Sequence, residues 1–420
     1  MIFIKVIYEK FEKLRLVMGV LGNPEKNIRF VHVTGSKGKG SVCAMTASIL
    51  KEAGWKVGLF TSPHIQKWNE RVRVNGVDIS DEDLKIFENR VDTICSEIQI
   101  ELTEMERFFM IALGYFGEQK VEIAVVEVGI GGRKDATNVI DGIVSIITNI
   151  ELEHTEILGE TLEKIALDKA GIIKEGSVCI TAETDSRLIE VFAKEAGEKK
   201  AKLIVLEPSD TDLISQTIKG QVFNFMNYNN VEIPLLGRHQ TSNATIAIMC
   251  CEALNTKGVK IDENNIRNGL KNVSWPLRLE VINLKDKNMP TIIIDGAHTP
   301  KSIQRVVQSL NKLCNQKKKI VIAGFSEDKK YAKILEILLK DLISPKDELI
   351  LTQAKYKGLD VDTIAECLNG AHAHITYSVA TAHAKAQKLA QKTDVIICLG
   401  SLYLGAEYYK ILTKSSYINL

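Results

Sequence analysis

Residues 28–54, IRFVHVTGSKGKGSVCAMTASILKEAG, run from a short apolar stretch through a turn with three glycines and two lysines into a helical pattern. A strand that feeds a helix through such a turn aims the helix's unpaired N–H groups into the turn, where an anion is favoured. Lys39 adds a full positive charge, and a hydroxyl there can face Mg²⁺. The spacing departs from the common G-x-x-x-x-G-K-[ST] loop. Gly38-Lys39 is followed by Gly40, the hydroxyl arrives one place late at Ser41, and Gly35 stands close upstream. The plain alternative is a flexible turn with Lys37 and Lys39 solvated; the strand–turn–helix context favours a phosphate cradle.

The rest of the chain repeats the alternation. KVGLFTS, VEIAVVEVG and GIVSIITNI are Val- and Ile-rich and apolar on both faces, as strands of a covered parallel sheet are. TLEKIALDKAGIIK reads as a helix capped by Thr161. QVFNFMNYNNVEIPL alternates polar with apolar, which predicts a short antiparallel excursion. A second strand–helix series begins near residue 280 with TIIIDGAH, KIVIAGFS, DELILTQ, AHITYS and DVIICLG. The expected fold is α/β with two domains: a large P-loop-type, mostly parallel sheet domain over residues 1–275, and a smaller Rossmann-like domain over 280–420.

Bulk properties exclude several classes. The formal charge of +1 leaves no electrostatic footprint for nucleic acid or an anionic membrane. No run approaches about 18 apolar residues, so no membrane span is expected. Eight cysteines without CxxC spacing fit reduced thiols, and MIFIKVIYEKFEKLRL fits an amphipathic helix better than a signal peptide. These readings describe a cytoplasmic protein acting on small molecules, expected as a monomer.

Polar residues in apolar settings mark candidate chemistry. Glu127 ends a buried strand, where α/β proteins bind ligands; the alternative is a cap for a neighbouring loop. Asp295 and His298 follow an apolar strand of the second series in the same way, with turn hydrogen bonds as the alternative. Lys169 lies in a largely apolar helical pattern and could simply snorkel from a half-buried face. His154 alone reads as structural.

The loop resembles T-G-[TS]-[NK]-G-K-G-[ST] of the folylpolyglutamate synthase and dihydrofolate synthase family, within the Mur ligase superfamily. The likeness continues in order through TSPHIQKWNERVRVNG, EVGIGGRKDATNVI, EHTEILGETLEKIALDKAGIIK, GRHQTSNATIA, WPLRLEV, DGAHTP and LGSLYLGAEY. In that light Gly40 is a family feature rather than a defect.

The resemblance implies an enzyme: an ATP-dependent ligase that joins L-glutamate to the γ-carboxyl of a folate through an acyl phosphate, with dihydropteroate as the second acceptor that the family's bifunctional members use. It implies ATP contacts at Gly35, Ser36, Lys37, Gly38, Lys39, Gly40, Ser41, Asn243, Arg278 and Asp295. It implies two Mg²⁺ ions, held by Ser41, Ser62, Glu127, His154 and a carbamylated Lys169. It implies substrate contacts at Met105, Glu106, Arg133, Asp135, His298 and Ser401, and catalytic roles for Lys39, Lys169 and His298. Two positions depart from the family pattern. Thr299 replaces an Asn, and Met105 replaces an aromatic that packs on the pteridine; methionine can pack on a ring through sulfur, or serve only the core. Two other readings stay open: a Mur-like ligase for a different carboxylate, and an ATP-binding protein without catalysis.

Overall fold

A computed structural model describes residues 2–282, 289–327 and 330–414, with side chains from residue 11 to 413. The chain divides into two compact units: Met1–Asp212, Phe223–Ile233 and Gln240–Val273 in one, and Leu213–Val222, Pro234–His239 and Ser274–Leu420 in the other.

In the first unit, strands β1 (Arg29–Thr34), β2 (Val57–Phe60), β3 (Val72–Val74), β4 (Val77–Asp78), β5 (Ile123–Glu127), β6 (Gly142–Ile147), β7 (Val178–Thr181) and β8 (Lys202–Val205) form one sheet. Its order is β4-β3-β2-β5-β1-β6-β7-β8. The six strands from β2 to β8 pair in parallel, while β3 and β4 add an antiparallel edge, turning at Asn75-Gly76. Val33 pairs with Glu127, so the central strands β1 and β5 deliver the phosphate loop and the strand-end carboxylate side by side.

The helices include α1 (Ile2–Val20), α2 (Lys39–Glu52), α3 (Asp81–Glu97), α4 (Glu104–Glu118), α5 (Thr155–Leu158), α6 (Leu162–Ala170), α7 (Ser186–Glu198), α8 (Arg238–Thr256) and α9 (Glu263–Lys271), and in the second unit α10 (Pro300–Leu313). Apolar faces of α1, α3 and α4 bury one core with Phe30, Phe60 and Val126 of the sheet. Helices α6 and α7 bury another with Ile147 and Cys179. Thr161 caps α6 by accepting from Lys164 N, and the helix stops at Ala170, before the GIIK that the periodicity had included.

Strands β9 (Thr211–Thr217), β10 (Gly220–Phe225) and β11 (Tyr228–Ile233) form a three-stranded sheet. Two-residue turns join them, a connection that only antiparallel neighbours permit. In the second unit β12 (Glu280–Ile282), β13 (Thr291–Ile294), β14 (Lys319–Ala323), β15 (Glu348–Leu351), β16 (His374–Ile375) and β17 (Val395–Leu399) form a sheet in the order β12-β13-β17-β14-β15-β16. It is parallel apart from β12. Among the described residues all eight cysteines are free, and no helix is long and apolar enough to cross a membrane.

Candidate active site

Two glycines shape the phosphate loop. Gly35 has φ +134°, and a Cβ there would lie 1.9 Å from Thr148 Oγ1; Gly38 has φ +88°, and its Cβ would lie 2.5 Å from Asn243 Oδ1. The residues after β6 pin the loop's outer side. Thr148 Oγ1 donates to Lys37 O at 2.7 Å, Ser36 N to Asn149 O at 2.8 Å, and Lys37 N to Asn149 Oδ1 at 2.9 Å. Helix α2 then begins at Lys39 without a side-chain cap, so its first N–H groups retain their affinity for an anion. Asn243 is tied to Gln240 at 2.9 Å, and Gln240 donates to Ser41 Oγ at 3.3 Å. The expected ATP contacts of the first unit thus share one loop and the helix beside it.

The lysines meet on a single atom. Gly35 O accepts from Lys39 Nζ at 2.9 Å and from Lys169 Nζ at 3.1 Å. Lys169 is 1% exposed and also pairs with Glu153 at 3.1 Å. Burial, then the nearby charge of Lys39, pulls its pKa down to about 8. Burial likewise lowers Lys37, which lies 3.6 Å from Glu153. Burial opposes ionisation of Glu153, but Lys169, Lys39 and Lys37 together hold its carboxyl below the usual range. Asp168, raised by burial, accepts from Gly132 N at 2.9 Å. A Cβ on Gly132 would lie 2.8 Å from Lys169 O, which explains why the GIGGR stretch needs glycine where it crosses α6.

Glu127 is 5% exposed, and its Oε2 accepts from Ser62 N at 3.1 Å. His154 is exposed, with φ 47° just before α5. Glu127 and the Ser41 and Ser62 hydroxyls are hard oxygen donors suited to Mg²⁺. Among the described residues no three His, Cys, Asp or Glu side chains form a metal-holding cluster. A metal here would therefore depend on hydroxyls, on water and on Lys169 changing its charge.

On the acceptor side, the thioether of Met105 receives Arg71 Nη1 at 3.1 Å. Arg71 lies 4.3 Å over the Trp68 ring and 5.6 Å from that of Phe108, and its Nε donates to His64 Nδ1 at 3.0 Å. Trp68 and Phe108 stack at 4.5 Å. Other expected substrate contacts also have partners within the protein. Glu106 closes the capping box of α4 with Thr103 and pairs with Lys13 at 3.0 Å. Arg133 points to Glu195 at 2.6 Å. Asp135 caps the turn Ala136–Val139.

In the second unit Asp295 is 4% exposed and accepts from Ala297 N at 2.7 Å and Leu279 N at 2.8 Å. Burial raises its pKa, and Arg278 opposes the rise. Leu277 and Leu279, flanking Arg278, both adopt left-handed φ (57° and 48°), an uncommon state for leucine that marks stored strain. His298 Nδ1 donates to Gly296 O at 2.9 Å, since a carbonyl only accepts. Thr299 caps α10 through its hydroxyl, a role that explains a polar residue at this departure from the family pattern. Ser401 is buried, with Ser326 Oγ at 3.0 Å.

The motifs gave no prominence to Glu153, Gln240, Trp68, Arg71 or Ser326. All five stand inside quoted segments, but each has a partner far away in sequence (Lys37, Ser41, Phe108, Met105 and Ser401 respectively for Glu153, Gln240, Trp68, Arg71 and Ser326), so only folding shows their roles.

Known proteins resemble the chain in both of its units. Residues 33–251 match the Mur ligase middle domain, and residues 277–402 match the Mur ligase glutamate ligase domain. A dihydrofolate synthase/folylpolyglutamate synthase of Bacillus subtilis is 35% identical over 78% of this chain and 77% of its own length. A folylpolyglutamate synthase of Lacticaseibacillus casei is 36% identical over 78% of each chain. The folylpolyglutamate synthase structure from Thermotoga maritima superposes with a TM-score of 0.86 at 27% identity, covering 99% of this chain and 97% of the other. E. coli FolC, solved with DHPP and ADP, gives 0.82 at 28% identity, covering 96% and 93%.

Proposed function

The chain belongs to the Mur ligase family, in its folylpolyglutamate synthase and dihydrofolate synthase branch, and we propose from that membership how its residues divide the work. The enzyme is an ATP-dependent, amide-forming ligase that adds L-glutamate to a folate. A carboxylate oxygen is a poor leaving group, so ATP must first convert it into an acyl phosphate; the glutamate amine then displaces phosphate through a tetrahedral intermediate. Residues 1–275 serve ATP and the acceptor, and residues 280–420 serve ATP and glutamate.

The observation that carries the reading is the convergence of Lys39 and Lys169 on Gly35 O, which ties the phosphate loop to the helix of the DKAGIIK motif. The loop amides and Lys39 stabilise charge on the transferring phosphoryl group. Asn243, Arg278 and Asp295 hold the nucleotide, and His298 and Ser401 orient glutamate. Mg²⁺, when bound, would screen the phosphoryl charge, with Ser41, Ser62, Glu127 and His154 as its ligands. Carbamylation would turn Lys169 from a cation into an anionic ligand for a second ion. Asp135, Met105 and the neighbouring Arg71–Trp68 stack receive the folate. The enzyme works as a cytoplasmic monomer on small molecules.

Glutamate-dependent phosphate release tests this, with tetrahydrofolate and dihydropteroate offered separately. Release with tetrahydrofolate is expected. Turnover only with an unrelated acid, or tight ATP binding without turnover, would replace the folate reading. Release with dihydropteroate would add synthase activity.

A further inference from the structure

We infer that His32 is a positioning residue for the acceptor site, fixing Asp135 through the hydroxyl of Thr137. The inference rests on the reading of Asp135 as a substrate contact.

His32 sits in the middle of β1, fully buried, between Val126 of β5 and Ser145 of β6. Its Nε2 lies 2.8 Å from Thr137 Oγ1. Thr137 Oγ1 lies 2.5 Å from Asp135 Oδ1, which also accepts from Thr137 N at 2.9 Å. Proton counting sets the direction of the chain. A hydroxyl has one hydrogen and an ionised carboxylate has none to give, so Thr137 donates to Asp135. His32 must then donate to Thr137, and it carries its proton on Nε2. Its Nδ1 has no hydrogen-bond partner among the described residues. Burial, with Lys174 adding to it, keeps the ring neutral. A β-strand interior has little use for an imidazole with one nitrogen unmatched, and a long neutral donor reaching Thr137 accounts for it.

The chain leaves the two oxygens of Asp135 unequal. Oδ1 is held by Thr137 twice over, whereas the hydrogen bond to Oδ2 is a long one, from Ile130 N at 3.2 Å. Oδ2 points to the acceptor side: a Cβ placed on Gly129 would come 3.2 Å from it and 3.5 Å from the Met105 methyl. Asp135 Oδ2 and the Met105 methyl therefore both close on the Cα of Gly129, the first offering an acceptor to an N–H group and the second a polarizable face to a ring. Donor bonds in series polarise one another, so losing the first weakens the hold on the last.

The test pairs Thr137→Val, which keeps shape and removes the hydroxyl, with Thr137→Ser, which retains it, and adds His32→Gln. Thr137→Val is expected to raise KM for the folate by about 10-fold, the size of one lost hydrogen bond, with the ATP KM unchanged and Thr137→Ser near wild type. An unchanged folate KM in a folded Thr137→Val protein overturns the inference. ¹⁵N-histidine NMR of the substrate-free wild type reads the chain without turnover: a neutral Nε2–H ring is expected, and an Nδ1–H ring overturns it. A protein with the expected ring that releases no phosphate with any folate would leave the hydrogen-bond chain standing and sink the folate reading instead.

Discussion

Lys169 Nζ donates to the main-chain oxygen of Gly35 at 3.1 Å, across 134 residues of sequence. One carbonyl at the mouth of the phosphate loop thus carries a lysine from each of two motifs, since Lys39 reaches it at 2.9 Å. Two cations on one oxygen, with Glu153 as the neighbouring anion, make a site where changing one charge alters all the others.

Only a neutral amine, with its lone pair free, attacks carbon dioxide to form a carbamate, releasing a proton. With a pKa of about 8, roughly a tenth of Lys169 is neutral at pH 7, far more than for an ordinary lysine. Lys169→Ala is expected to lower kcat/KM by about 100-fold or more, the scale for removing a ligand or charge that acts in the transition state. Acetate added to the variant should restore part of the rate. Steady-state phosphate release decides it, and unaltered activity in the variant ends the assignment.

Gly38 is fixed by conformation and by space. Gly38→Ala forces a Cβ into left-handed backbone against the Asn243 carboxamide, at a cost of about 1–3 kcal/mol. The ATP KM should rise about 10-fold while the folate KM holds. Calorimetric titration with ATP and a thermal melt check the two effects separately; wild-type affinity in the variant would contradict the loop assignment.

The thioether of Met105 faces the Arg71 guanidinium. Met105→Ala removes both the sulfur contact and the polarizable surface, a combined loss of about 1–2 kcal/mol. The expected result is a five- to thirtyfold rise in folate KM, by about that energy, without change in the ATP KM. If Met105 serves only core packing, the variant will instead lose thermal stability and keep its folate KM.

His32 gives a pH signature. Its pKa falls from 6.5 to about 3 on burial, so between those values the unfolded chain binds the proton that the folded chain refuses. Stability therefore drops as pH falls below about 6.5 and is untouched above it, with a slope of up to about 1.4 kcal/mol per pH unit. His32→Gln should melt lower than wild type at neutral pH, yet lose less between about pH 7 and 4. Parallel melting curves for the two proteins would show that His32 does not report acid instability.

Sequence determined what local pattern can carry. Val- and Ile-rich runs alternating with helical periodicity specified two parallel-sheet units, because strands covered on both faces must be apolar throughout. Glycines at 35 and 38 beside Lys39 specified a phosphate loop, because left-handed backbone excludes a side chain. Ordered motifs named Glu127, Lys169, Asp295 and their neighbours. Tertiary structure alone decided how those groups are used. Glu153 joins Lys37 to Lys169, Arg71 meets Met105, His32 reaches Asp135 through Thr137, and Glu106 is turned to capping and to Lys13. The signal for the β3–β4 hairpin, by contrast, is local: Asn75-Gly76 stands between alternating apolar residues, and both adopt the positive φ that a tight turn requires. Periodicity reports which face of an element is buried. It carries nothing about which distant polar groups meet there, and the charge and proton position of each buried group depend on those meetings.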